Sequence, residues 1–255
     1  MYIDEKTNEK YQVSKVNMTC DSVPTEIDSK TFIPRNGFGC LIGSSGSGKT
    51  NLLVWLLTHR SNMGFNKKFD RIYYISPSMD TIDKDLGVDE DRVYTEFNEG
   101  VMNEINEIEK GHTAEAKEND EPMPQKLIIF DDAIIDISKP AHLDCLMRCI
   151  WNRRHKGYYI IITTQKYLQL PKKLRVSLSN KGFMCLFKTQ NMGERDDIHK
   201  ELIDLNKKEW RQLYDYIFDN EECYNFLYVR FDKSLNNMFH KNFNPLKLKF
   251  NKIEK

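Results

Sequence analysis

Residues 43 to 50 read Gly-Ser-Ser-Gly-Ser-Gly-Lys-Thr, the pattern G-x-x-x-x-G-K-[ST] of a loop that cradles phosphate groups. Gly43, Gly46 and Gly48 let the backbone curl so that successive N–H groups point inward, with Ser44, Ser45 and Ser47 completing the cradle. Lys49 is expected to reach the β- and γ-phosphates of ATP, and the Thr50 hydroxyl to ligate Mg²⁺. The flanks supply the required context. Phe38-Gly39-Cys40-Leu41-Ile42 is an apolar run of strand length, and Asn51-Leu52-Leu53-Val54-Trp55-Leu56-Leu57 is a buried segment whose positive helical end would add to the anion site.

Two further strand ends carry polar groups. Leu127-Ile128-Ile129-Phe130-Asp131-Asp132 closes an apolar strand on two carboxylates. Ligands of open parallel sheets gather at the carboxyl ends of strands, so Asp131 and Thr50 can converge on one Mg²⁺ while Asp132 serves as base or water-orienting group. Tyr159-Ile160-Ile161-Ile162-Thr163-Thr164-Gln165 repeats the geometry, and Gln165 could hydrogen-bond a γ-phosphate or the attacking water. Arg153 and Arg154 close a helical stretch whose last turn favours cations in any protein. A guanidinium beside a γ-phosphate can also speed phosphoryl transfer, and Arg154, nearer the next strand, is preferred to Arg153.

The elements that must hold these groups alternate in the manner of a parallel sheet with helices on both faces. Strands are expected at 38–43, 71–76, 92–97, 126–131, 158–163 and 182–187, and helices at about 49–60, 99–110, 140–154, 194–204 and 207–218. Asn206 followed by Glu209 has the spacing of a helix cap. The organisation reads as an arm or edge strand over 1–30, one α/β domain over 31–235 with a mobile acidic loop at 111–125, and a basic tail over 236–255.

The 255 residues are 40% hydrophobic and 30% charged with a formal net charge of zero, which excludes a wholly basic nucleic-acid binder and a disordered chain. The charge is nonetheless segregated. Residues 80–122 hold fifteen Asp/Glu against four Lys/Arg, whereas residues 145–193 hold ten Lys/Arg and no acid. Such runs serve as solvated faces, as contacts to a neighbouring subunit, or, for the basic stretch, as sequence-independent contacts to DNA phosphates. Cys20, Cys40, Cys145, Cys149, Cys185 and Cys223 include no C-x-x-C, and His142 with Cys145 and Cys149 lacks a second ligand pair for zinc. A soluble protein of a reducing compartment follows, with no membrane partner and no signal-peptide pattern.

Taken in order, Gly43 to Thr50, Phe130-Asp131-Asp132, Arg154-His155, Gln165 and Leu170-Pro171-Lys172-Lys173-Leu174-Arg175 resemble the FtsK/HerA superfamily of DNA-pumping ATPases. The similarity spans about residues 30 to 235 and is greatest to the genome-packaging ATPases of large double-stranded DNA viruses and virophages. It implies a RecA/ASCE-like P-loop fold and a hexameric or pentameric ring with ATP between subunits and double-stranded DNA through the centre. It implies Gln165 as γ-phosphate sensor, Arg154 as arginine finger, a capsid or vertex protein as a further partner, and a setting in the virion or the host cytoplasm. A HerA-type pump or helicase, and a nucleotide-dependent assembly component, are the alternative readings. Two departures stand out: Asp131-Asp132 where many relatives outside the viral branch have Asp-Glu, and Val176-Ser177 after Arg175 where close relatives have arginine-x-asparagine.

Overall fold

The computed structural model describes residues 2–5, 37–58, 65, 68–79, 86–219 and 225–249. Its frame is a ten-stranded sheet in the order β1-β10-β9-β8-β7-β2-β6-β5-β3-β4. The strands are β1 (Tyr2–Glu5), β2 (Phe38–Ile42), β3 (Arg71–Ile75), β4 (Val93–Tyr94), β5 (Lys126–Phe130), β6 (Tyr158–Thr164), β7 (Phe183–Phe187), β8 (Phe226–Arg230), β9 (Phe239–Lys241) and β10 (Asn244–Lys249). The six from β4 to β7 run parallel. The four beyond β7 pair antiparallel.

The helices are α1 (Lys49–Thr58), α2 (Glu99–Glu118), α3 (Ile134–Ile137), α4 (Pro140–Lys156), α5 (Lys172–Ser179), α6 (Met192–Leu202) and α7 (Lys207–Phe218). Apolar runs such as Ile160-Ile161-Ile162 are buried because both sheet faces are covered. Side chains from α2, α4, α5, α6 and α7 share one core. The other face is sealed by α1 with Phe65, Phe69 and Phe243. Asn206 caps α7 as its spacing predicts: its side chain accepts from the Glu209 N–H at 2.9 Å, and the Glu209 carboxylate accepts from the Asn206 N–H at 3.1 Å.

Three expectations need correction. The acidic loop at 111–125 is helical as far as Glu118, and the sequence pattern does not display it because α2 buries a carboxylate where an apolar residue would ordinarily continue the stripe. Glu109, 2% exposed, accepts from Arg71 Nε at 2.7 Å and the Tyr73 hydroxyl at 2.6 Å, and Lys126 Nζ lies 3.5 Å away. These partners compensate its desolvation, so a buried charge hid the periodicity.

The tail at 236–255 is likewise structured over β9 and β10, where buried Leu246 and Leu248 alternate with exposed Pro245 and Lys247 in a period of two. Phe243 stacks on Trp55 of α1 at 6.4 Å. The run expected as a strand at 92–97 shrinks to the two residues of β4, and α5 is a helix that the sequence pattern did not predict. Residues 59–60, 250–255, Cys20, Cys223 and most of the arm at 1–30 lie outside the described residues, within which Tyr2–Glu5 pairs with β10.

Cys40, Cys145, Cys149 and Cys185 are free thiols in the core. Among the described residues no group of three or more His, Cys, Asp or Glu could hold a metal, and His142 Nδ1 instead stands 3.0 Å from the Asp136 carbonyl. No described helix is long and apolar enough to cross a membrane.

His240 on β9 packs against the Tyr228 ring at 5.1 Å, and burial depresses its pKa from 6.5 to about 4. The unfolded chain therefore binds the proton first, so stability should fall as pH drops from 6.5 towards 4, by up to about 3 kcal/mol. Urea unfolding at pH 7 and pH 4.5 measures this loss, and His240→Gln should diminish it.

Candidate nucleotide site

The site forms at the carboxyl edge of the parallel strands, where β2 delivers the glycine loop. The Gly43 N–H donates to the Thr164 carbonyl at 3.1 Å, tying the start of the loop to the end of β6. Gly46 and Gly48 adopt φ of 74° and 103°, a region that favours glycine. A Cβ on Gly43 would stand 2.5 Å from Ser47 Oγ and 2.7 Å from Phe187 Cβ, so only glycine permits this close approach. Lys49, at the start of α1, is 8% exposed and donates to the Gly43 carbonyl at 2.6 Å and the Ser44 carbonyl at 3.1 Å. Burial lowers its pKa, and the charges of Asp132 and Asp131 oppose that shift.

Asp131, 4% exposed, is held by hydroxyls. Thr163 donates to Oδ1 at 2.7 Å; Tyr74 donates to Oδ2 at 2.7 Å, and Thr50 approaches that oxygen at 3.4 Å. Parallel register explains the meeting: Phe130 pairs with Ile162 and Ile75 with Phe130, so the residues at the ends of β3, β5 and β6 lie side by side. Burial and the Asp131 charge raise the Tyr74 phenol well above its usual range, which keeps it a donor. Asp132 takes a left-handed φ of 56°, tolerable for aspartate, and its N–H donates to Thr163 Oγ1 at 2.9 Å. Gln165 is exposed, with Nε2 3.5 Å from Asp132 Oδ1.

Sequence reasoning missed Tyr74 and Thr163 as site residues. Thr163 was legible as a hydroxyl ending an all-apolar run; Tyr74 had no such signal, because only the register brings β3 beside β5. The two orient Asp131 so that one carboxylate edge faces Thr50. A hydroxyl and a carboxylate are the hard oxygen ligands that Mg²⁺ takes when substrate phosphates and waters fill its other positions. The buried Ser47 Oγ, which has no hydrogen-bond partner, adds an unsatisfied polar atom beside the cradle. ATP and Mg²⁺ thus fit the residues present.

The arginines fall elsewhere. Arg154 is exposed at the end of α4, beside the amino end of β6. The seven residues of β6 place it roughly 20 Å from the loop of its own chain. Arg153 is half-buried and donates to the Ile150 carbonyl at 2.8 Å and the Asn180 carbonyl at 3.4 Å, joining α4 to α5. Arg175 is drawn inward by Glu201 at 3.0 Å and the Leu170 carbonyl at 3.0 Å.

Asp131→Asn should weaken Mg²⁺-dependent nucleotide binding, since it removes the charge beside Thr50. Asp132→Asn should leave binding intact and slow hydrolysis by about 10² to 10⁴, the range of a general base. Identical defects in binding and turnover for both variants would overturn this division of roles.

A glycine loop opening a buried helix, beside a strand-end carboxylate on a mainly parallel sheet, makes this molecule a P-loop NTPase. The Poxvirus A32 protein family matches residues 35–208, which include every site residue described above. The chain therefore belongs to that family of ATPases. No curated protein sequence matches it. Among solved structures, B204, the DNA-packaging ATPase from Sulfolobus turreted icosahedral virus, is similar in fold. Its TM-score is 0.52 at 14% identity, over 82% of this chain and 98% of B204. EssC (ATPases 2 and 3) from Geobacillus thermodenitrificans matches with TM-score 0.52 at 13% identity, over 84% of this chain and 40% of that one.

Proposed function

We propose that this ATPase is a ring motor that drives double-stranded DNA, packaging a viral genome into its capsid in the virion or the host cytoplasm. The observation that carries the reading is the A32-family match enclosing the whole constellation of Lys49, Thr50, Asp131, Asp132 and Gln165. In the reaction, the loop amides and Lys49 hold the phosphates. Asp132 takes the proton of the attacking water, and Gln165 orients that water. Mg²⁺ held by Thr50 and Asp131 would supply neutralising charge to the phosphates. Arg154, remote from its own loop, is assigned to a neighbour's nucleotide, the arrangement that a hexamer or pentamer provides.

DNA binding is assigned to the exposed lysines at the start of α5. Lys172 is exposed, and Lys173 makes only a surface pair with Asp144 at 2.8 Å, whereas Arg175 is engaged internally. Replacing Lys172 and Lys173 with Ala should lower DNA affinity for all sequences alike and flatten the salt dependence by about 0.9 log unit for each phosphate no longer neutralised. Arg175→Ala should leave that slope unchanged. Filter binding across a salt series measures both.

ATP turnover of the purified protein with and without double-stranded DNA tests the motor. Stimulation is expected; equal turnover would favour the assembly component. Unwinding of a forked duplex would favour a helicase instead.

A further inference from the structure

The turn that follows Gln165 is gripped by one face of α6. Glu194 and Glu201 are seven residues apart, two helical turns, and so project on the same side. The Tyr167 N–H donates to Glu194 Oε1 at 2.7 Å, and the Tyr167 hydroxyl donates to Glu201 Oε2 at 2.8 Å. Glu194 is itself fixed, because the Thr189 hydroxyl donates to its Oε2 at 2.9 Å. Tyr167 is fully buried, and burial followed by its bond to Glu201 raises its phenol far above the usual range, so it stays a donor.

The same Glu201 oxygen accepts from Arg175 Nε at 3.0 Å, and the Arg175 guanidinium lies 5.4 Å from the centre of the Tyr167 ring. A second tie runs from Arg175 to the Leu170 carbonyl, on the chain between Tyr167 and α5. One carboxylate thus joins α5 to a side chain two residues from Gln165. The side-chain partners of Tyr167 and Glu201 are one another, Glu194 and Arg175, not the loop, Asp131 or Asp132, so the phosphate chemistry itself gives them no role. A rotation of α5 would pull on Glu201 through Arg175, and through Glu201 on Tyr167 and the Gln165 turn.

We propose that Tyr167 is a positioning residue: clamped by Glu194 and Glu201, it sets Gln165 beside Asp132, and through the Glu201–Arg175 pair it transmits a load on α5 to that glutamine. The second half rests on the DNA-motor reading, and the first half does not.

The test compares wild type, Gln165→Ala, Tyr167→Phe and their double variant in ATP turnover with and without double-stranded DNA, together with melting temperature and hydrogen exchange of the 165–170 amides without nucleotide. Tyr167→Phe should lose about tenfold in kcat, the value of one hydrogen bond to a charged group, with KM for ATP little changed. Its stimulation by DNA should vanish and the 165–170 amides should exchange faster. The double variant should be no slower than Gln165→Ala, because both changes disable the same group. Additive losses, or Tyr167→Phe protein with wild-type kcat, would overturn the positioning role. Full DNA stimulation in Tyr167→Phe would overturn the coupling. A wild type indifferent to DNA would sink the motor reading and the coupling with it, while the comparison with Gln165→Ala would still decide the positioning.

Discussion

Lys49→Ala protein should bind ATP weakly and hydrolyse it about 10² to 10³ times more slowly than wild type, the usual consequence of removing one preorganised donor from a developing charge. The geometry makes the effect specific. Lys49 is nearly enclosed, and its ammonium lies against the Gly43 and Ser44 carbonyls, inside the curl proposed to hold the phosphates. Burial already costs it charge stability, so the alanine variant should fold with a melting temperature close to wild type. Steady-state turnover, equilibrium titration with nucleotide and thermal melting separate these effects. Turnover near the wild-type rate would remove the loop from the reaction.

Arg154→Ala should bind ATP normally and lose about 10³ to 10⁵ in kcat, since the charge of a finger matters only in the transition state. Its exposed place at the amino end of β6, on the far edge of the sheet from the loop, puts the loop of its own chain out of reach, so the proposed finger would have to act on a neighbour's nucleotide. Mixing Arg154→Ala with Lys49→Ala protein should therefore restore part of the activity. Some boundaries of a mixed ring would pair an intact loop with an intact arginine. Mixed rings that form, yet turn over no faster than either parent, would rule out a shared site.

The loop and both strand ends were readable because each is a local pattern: glycine spacing, and a polar residue closing an apolar run. Parallel architecture was readable for the same reason, from runs such as Ile160-Ile161-Ile162 that only a doubly covered strand carries. What sequence alone concealed was long-range. Glu109 broke the stripe of α2 because its partners Arg71 and Lys126 lie on two separate strands. Tyr74 reaches Asp131 across 57 positions, through register that no window of sequence displays. Arg175 read as one of the basic stretch offered to DNA phosphates or a neighbouring subunit, and the fold instead brings Glu201 beside it. The strands of the C-terminal segment were overlooked because β9 spans three residues, too short for periodicity to stand out, and β10 carries a proline, Pro245, at its second position.

Displacement of a third strand from a DNA triplex tests the central claim most directly, because only a protein that moves along the duplex can strip a strand it does not unwind. With ATP and Mg²⁺, wild-type protein should release the labelled third strand in a single exponential phase after a lag that lengthens with the duplex track. Lys49→Ala protein should release none. Vigorous ATP hydrolysis on the same DNA, with the triplex intact at every track length, would contradict translocation.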